Sequence, residues 1–558
     1  MDAAYGTRTD HLKRLGALKT ERSSFDSHFQ ELSRYYQPRA GRFVTSDVNR
    51  GDKRWNAIYD STGTRALRIL SSGMMAGTSS PARPWFRLAV PDSGLMAYQP
   101  VRIWLDEVAR RMRDVFARSN TYRSFHTMYE EISLFGTAAS IIVDDHDTLI
   151  RHHTLTAGEF CIATDNRREV DTLYREFNMT VAQLVREFGL NNCSQTVKTL
   201  YANKNYDAWV TVIHAIEPRF ERDMRKKDNL NMPVKSCYFE FGGDGTQLLR
   251  ETGFKKFPCL TPRWALTGGD IMGYCPAMEA LGDVKQLMHG QLRKAEAIDY
   301  GTKPPIALPT ALAGQRHNTL PGGIVFADLG AGQKIQSLWE VKTDISALLE
   351  DIGDVRQRIN QAFYADLFLM LANDDRSNIT AREVAERHEE KLFMIGPVLE
   401  RLHNEMLDPK IDMTFTKMLE QGLLPPVPKE LEGMDLQIEF VSTLAQAQRA
   451  IGVQSIDRII GTIQAVMAIK PDVVDKLDSD QLIDHYSDML GVPPQLIVAN
   501  DQVVMIRQDR AQQAQQQQML EQVQPMANAA QKMSTIDPQN SGMLSDVLAG
   551  LQGYSTMQ

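Results

Sequence analysis

Asp144-Asp145-His146-Asp147, followed by His152 and His153, gathers carboxylates and imidazoles, donors that hard and borderline cations accept. Nothing else completes a metal site there, so a solvated loop after a strand is the simpler reading. Phe241-Gly242-Gly243-Asp244-Gly245 has the glycines of a phosphate cradle but no lysine and no following helix. It reads as a hairpin turn. No Gly-Lys-Ser or Gly-Lys-Thr loop occurs, and no Gly-x-Ser-x-Gly elbow accompanies any serine. Arg387-His388-Glu389-Glu390-Lys391 lacks a second histidine one turn on and reads as a charged helix face. The residues therefore nominate no catalytic group, no metal ligand and no cofactor. A polar hinge offers weaker chemistry through Asn373, Asp374, Asp375, Arg376 and Asn378. An arginine there could touch phosphates without reading bases, while the two aspartates would weaken each contact. Taken alone, the stretch reads first as a solvated interhelical loop.

Long helices must position that hinge. Ile345, Leu348, Ile352, Val355, Ile359 and Ala362 recur at spacings of three and four, the seam of a helix packed on other helices. Thr380-Ala381-Arg382-Glu383 is a capping box that starts a second helix. Val384, Leu392, Ile395, Leu399, Leu402 and Met406 form its apolar side, and Gly396-Pro397 should kink it. Upstream, helices are expected over 9–37, 62–77 and 99–134, with Pro38 stopping the first. Between 138 and 275 the pattern turns β-rich: Ala139 to Val143 and Trp209 to Ile213 have strand composition, and 238–249 reads as a hairpin. Helical pattern returns at Thr180 to Phe188. From Pro276 to about Tyr300 a helix roughly 37 Å long is predicted, with proline in its first turn and Lys303-Pro304-Pro305 beyond its end.

With 558 residues, of which 43% are hydrophobic, the chain is large enough for several domains or one elongated subunit. Its net charge of -8 argues against a protein that grips nucleic acid tightly, because tight binders use basic patches to release counterions. It does not argue against one that lets DNA slide past. Cys161, Cys193, Cys237, Cys259 and Cys275 show no C-x-x-C spacing, which points to reduced, mostly buried thiols. The amino terminus lacks a signal-peptide core and no apolar run approaches the roughly 18 residues that span a bilayer. The protein is expected to be soluble on synthesis.

Several blocks in collinear order carry a resemblance. Phe363-Tyr364-Ala365-Asp366-Leu367-Phe368, Thr380 to Val384 and Gly396-Pro397-Val398-Leu399-Glu400-Arg401-Leu402 are similar to the head-to-tail connector (portal) proteins of short-tailed bacteriophages. Asp60-Ser61-Thr62-Gly63 and Ser80-Pro81-Ala82-Arg83-Pro84-Trp85-Phe86-Arg87-Leu88 resemble the family's amino-terminal signature. Ser119 to Tyr122 and Phe135-Gly136-Thr137-Ala138 fit the next region, and Gly273 to Lys285 is the most specific block. The resemblance runs from about residue 5 to about 465.

It implies an α+β, predominantly α-helical, elongated portal-type subunit. By the resemblance, 1–275 is the wing, 276–302 stem helix 1, 303–340 the clip and 341–370 stem helix 2. Residues 371–379 would be the tunnel loop, 380–409 a kinked wing helix, 410–500 the crown, 501–533 a glutamine-rich barrel helix and 534–558 a flexible tail. The implied function is a homo-oligomeric ring, usually of twelve copies, at one capsid vertex of the virion, made in the bacterial host cytoplasm. The implied partners are double-stranded DNA passing non-specifically, the terminase large subunit, the major capsid and scaffolding proteins, and tail or adaptor proteins. No enzymatic activity, cofactor or membrane insertion is implied. Arg219, Arg222, Arg225, Lys226 and Lys227, diluted by Glu221, Asp223 and Asp228, read as a solvated loop or as a contact to a neighbouring subunit or the tail. Two other readings remain open: an internal virion or tail protein without a DNA channel, and, further off, a DNA-processing hydrolase.

Overall fold

A capping box opens the first helix: Thr7 and Asp10 satisfy each other's free backbone N–H groups, and α1 (Arg8–Tyr36) follows. The computed structural model describes residues 7–43, 57–302 (without 93–94, 97, 227 and 244–246), 306–307, 336–337, 345–372 and 394–440 (without 432–435). It also describes 463, 478–483, 498 and 502–515. Two compact units divide the chain, one of 1–91 and 104–465, the other of 92–103 and 466–558. In the second, Arg507 holds Asp480 through two hydrogen bonds of 2.7 Å.

Along the chain α1 is followed by α2 (Thr62–Thr78), strand β1 (Phe86–Ala89), α3 (Gln99–Arg118) and α4 (Thr121–Phe135). The helical stretch expected over 99–134 is made of two helices. The chain turns at Ser119 and Asn120, where the Ser119 hydroxyl lies 2.7 Å from that of Thr121 and Asn120 binds the backbone of His152 instead of a helical neighbour. Next come β2 (Ala139–Asp145), β3 (Leu149–Leu155), β4 (Phe160–Thr164), β5 (Val170–Thr180), α5 (Val181–Phe188), α6 (Gln195–Ala202), β6 (Trp209–Pro218), β7 (Val234–Glu240), β8 (Arg250–Phe254) and β9 (Cys259–Leu260). Five strands make one antiparallel sheet in the order β4-β5-β6-β7-β8, and β3-β2-β9 make another. The hairpin expected over 238–249 pairs Val234 to Tyr238 with Phe254 to Arg250, so its second strand begins after Leu249. One face of the larger sheet packs Tyr174, Ile213, Ala215, Cys237 and Phe239 against Leu15 and Leu18 of α1. The five cysteines are free and buried, and burial pushes their thiols up.

The helical part resumes with one turn at Pro276–Glu279, then α7 (Leu281–Thr302), α8 (Ile345–Ala362) and α9 (Ala365–Ala372). Two expected helices are thus shorter. The one expected from Pro276 breaks at Ala280 before running on to Thr302. The one expected over 341–370 stops at Ala362, because Tyr364 takes φ 52, a left-handed conformation that no α-helix continues. Residues 394–402 form α10, which passes through Gly396 and Pro397 into a π turn (His403–Leu407) and then α11 (Asp408–Glu420). Asp408-Pro409, expected to close this helix, lies inside it. The π turn resets the ladder so that Pro409 falls in the first turn of α11, where its missing N–H costs nothing. Strand β10 (Gln437–Phe440) pairs with β1. Most of the residues assigned to clip, crown and barrel lie outside the described residues.

Candidate functional site

Asn373, Asp374, Asp375, Arg376 and Asn378 lie outside the described residues, which stop at Ala372, one residue short of them. The structure does describe the helices that lead there and the joint that holds them. Helices α7 and α8 run antiparallel: Gly290 sits against Ile352, while Arg358 reaches Gln286 and Asp283, one turn back along α7. Val284, Leu287 and Met288 of α7 and Ile352, Val355 and Ile359 of α8 are buried. Most other positions of α8 are exposed, so a single seam holds this hairpin.

One carboxylate ties the hairpin to the helical hub. Asp60 is 8% exposed. Its Oδ1 accepts from the Thr62 N–H at 2.9 Å and the Thr62 hydroxyl at 2.6 Å. Its Oδ2 accepts from Gln291 of α7 at 2.8 Å and from Arg356 Nη2 and Nε of α8 at 2.8 and 3.1 Å. Burial opposes ionisation of this group, but the hydrogen bonds from Thr62 and Arg356 outweigh it and hold the carboxyl below its ordinary range. Through Thr62, the first residue of α2, Asp60 also holds that helix, so three elements meet on it.

Around this joint the blocks quoted from the sequence pack together. Tyr36 donates from its buried hydroxyl to Ala277 O at 3.0 Å, accepts at its carbonyl from Thr64, and packs its ring on Phe363. Gly63 lets α2 approach: a Cβ there would lie 3.1 Å from both Tyr36 and Val284. Gly136, at φ 75, and Gly273 place their backbones in direct contact, and a Cβ on either would fall under 3.0 Å from the other's carbonyl oxygen. Gly273 N–H donates to Thr137 Oγ1 at 2.8 Å, and Cys275 Sγ to Leu134 O at 3.2 Å. This interlock seats the turn from which α7 rises. On the far side of the Tyr364 joint, Phe368 of α9 lies directly over Gly73 of α2, leaving no room for a side chain there.

Charged groups elsewhere in the hub are committed to structure. Arg263, with 3% of its side chain exposed, grips Glu405 of the π turn at 2.6 Å and gives its own N–H to the same carboxylate at 2.8 Å. Lys410 is fully buried against His152 Nε2 at 2.6 Å, and burial drives the affinity of both groups for a proton well down. His152 faces inward to Ser140, while Asp144 reaches Lys417 and Asp145 caps the turn at Thr148. The residues first considered as metal ligands therefore point apart along the β2–β3 hairpin, and no cluster able to hold a metal ion occurs among the described residues. No helix among them is long and apolar enough to cross a membrane. The hub fixes where α7 begins, where α8 ends and where α9 delivers the chain at Ala372.

Sequence reasoning quoted Asp60, Gly63, Gly136 and Gly273 as motif residues without roles, and it missed Arg356, Gln291, Gly73 and Arg263. Arg356 was visible only as a charge beside an apolar seam, and Gly73 only as a glycine inside a helix.

The family described as bacteriophage head to tail connecting protein matches residues 8–498. The probable portal protein of Bordetella phage BPP-1 is 55% identical over 545 residues, 98% of each chain. The portal protein of Salmonella phage epsilon15 is 47% identical over 532 residues, 94% of this chain and 96% of that one. A chain from the neck of an empty GTA particle covers 82% of this chain at 13% identity and a TM-score of 0.39, too loose a likeness to locate residues. With the family match spanning most of its length and two such relatives covering nearly all of it, the chain belongs to the bacteriophage head to tail connecting proteins.

Proposed function

We propose that this chain is a portal subunit. Copies close into a ring at one vertex of the capsid, through which DNA is packaged and later ejected. The observation that carries this is the near full-length identity to two proteins named as portals, without large insertions or deletions. The geometry agrees with it: an antiparallel helix pair clamped at its base, with most of its surface unburied in one chain, suits a stave that neighbouring staves would cover. In this reading the ring, of twelve copies by family expectation, nucleates capsid assembly and docks the terminase large subunit and later the tail or adaptor proteins. The subunit works without catalysis, since a closed ring of heterologous contacts leaves an axial hole by symmetry alone. In this reading residues 373–379, next in sequence after α9, belong to the channel lining, where Arg376 touches passing phosphates and Asp374 and Asp375 keep the contact weak.

Averaged end-on electron micrographs of the purified protein, with and without scaffolding protein, test the reading. Rings with a central hole wide enough for duplex DNA are expected. Solid particles or monomers under both conditions would overturn it.

A further inference from the structure

The five-stranded sheet carries two exposed apolar patches, one at each end of β6. At the start of β6, Trp209 is 61% exposed and Tyr206 40% exposed, with the Tyr206 ring against Tyr201 at 5.1 Å. This corner is held in place, because Ala208 O accepts from the Val181 N–H at 3.0 Å and Tyr206 O from the Ala182 N–H at 3.1 Å. Lys204 and Asp207, one charge of each sign, are both exposed there.

The other patch lies on the loop after β6. Phe220 is 68% exposed, Met224 80% and Leu230 53%. Arg222, Arg225 and Lys226 are exposed among them, and none is ion-paired among the described residues. The loop is nevertheless built. Asn231 Oδ1 accepts from the Asp223 N–H at 2.9 Å, and Asp223 Oδ1 accepts from the Arg225 N–H at 3.0 Å. Arg219 roots it on β8 through Glu251 at 2.6 Å and Thr252 O at 3.1 Å. A loop ordered before it binds loses little entropy on docking.

The two patches are chemically complementary. Aromatic faces accept guanidinium groups and thioethers, and exposed clusters of large apolar side chains mark protein contacts. They cannot meet within one chain: β6 has ten residues, which hold its ends roughly 33 Å apart. A patch that fits a different patch on an identical copy is what a heterologous, ring-closing contact requires. We infer that Phe220, Met224 and Leu230 of one copy, with Arg222, Arg225 and Lys226 beside them, dock on the Tyr206 and Trp209 corner of the next copy. This rests on the ring reading above and names one of the contacts that would close the ring.

A photo-crosslinking amino acid placed at the exposed Asp207, between Tyr206 and Trp209, tests it in assembled full-length protein, mixed from light and isotopically heavy copies. Light-to-heavy crosslinks into 220–231 are expected. Phe220→Asp with Met224→Asp should remove those crosslinks and lower the ring fraction by about tenfold or more, the loss expected of apolar anchors. Trp209→Ala should do the same from the other side. Mixing the two defective proteins leaves one intact contact per pair, so heterodimers but no rings are expected. Rings that crosslink only elsewhere, or that close normally with both sets of substitutions, would overturn this contact and leave the portal reading standing. Wild-type protein that never assembles, even with scaffolding protein, would overturn both.

Discussion

Replacing Asp60 by alanine should loosen the α7–α8 helix pair specifically. The substitution leaves the Thr62 N–H and hydroxyl, the Gln291 amide and the Arg356 guanidinium without their shared acceptor. A hydrogen bond to a charged group contributes about 1.5–3 kcal/mol, and an orphaned buried donor costs about 1–3 kcal/mol. Arg356, with 48% of its side chain exposed, recovers most of its loss from water and counts for little. Thr62 and Gln291 are part-buried, so about 3 kcal/mol in total is reasonable. At about 1.4 kcal/mol per factor of ten, local opening becomes roughly a hundredfold more frequent. A chain of this size does not unfold in one step, so a melting curve is the wrong readout. Native-state hydrogen exchange is the right one, because it reads opening element by element. Amides of α7 and α8 should exchange about a hundredfold faster, while those of the five-stranded sheet stay unchanged. Arg356→Ala alone should have a small effect, and the two substitutions together should cost less than their sum. Unchanged exchange in α7 and α8, or effects that simply add, would refute the clamp.

Gly136→Ala should cost more than about 3 kcal/mol, because it combines a left-handed φ with a Cβ driven into Gly273 O; soluble yield and thermal stability of the purified protein measure it. Burial raises Glu131 to about 8 despite its hydrogen bonds from Thr156 and Ala157. Its folded value lies above its unfolded one, so the stability it contributes is present below about 4.5 and is lost as pH rises through about 8. Glu131→Gln should flatten that decline in melting temperature between pH 5 and pH 9. Burial lowers His11 and His403 to about 4, so their contribution, present above 6.5, is lost as pH falls toward 4. His11→Gln should therefore soften the acid side of the same profile. Arg376→Ala should leave ring assembly intact and reduce DNA packaging or retention, measured as encapsidated genome per particle; wild-type values for both would remove Arg376 from the channel assignment.

Much of the local structure was legible without coordinates. The helical pattern at Thr180 to Phe188, the apolar periodicity of 9–37, the strand composition at 209–213 and the glycine turn of the 238–249 hairpin each depend on neighbours within a few residues. Short-range physics settles such features, and so the elements stand close to where periodicity puts them. The same locality exposed the chemistry that was missing, since a phosphate loop or a nucleophile elbow is a contiguous motif.

The joint was decided only in three dimensions. Asp60 meets Gln291 and Arg356 across 231 and 296 positions of sequence. Nothing in the spacing of a helix says which of its polar side chains will face a carboxylate that far away. That choice follows from the crossing of α2, α7 and α8, set by Gly63 against Tyr36 and Val284. Gly136 and Gly273 are likewise ordinary glycines until their backbones touch. The break at Tyr364 and the π turn before Pro409 ran against the local pattern, and packing overruled it: Phe363 buries against Tyr36, Phe368 over Gly73, and Arg263 holds Glu405. Contiguous motifs and periodicity were enough for the family and for the individual helices. How α7 and α8 are anchored was fixed by long-range contacts among residues whose types alone are ordinary.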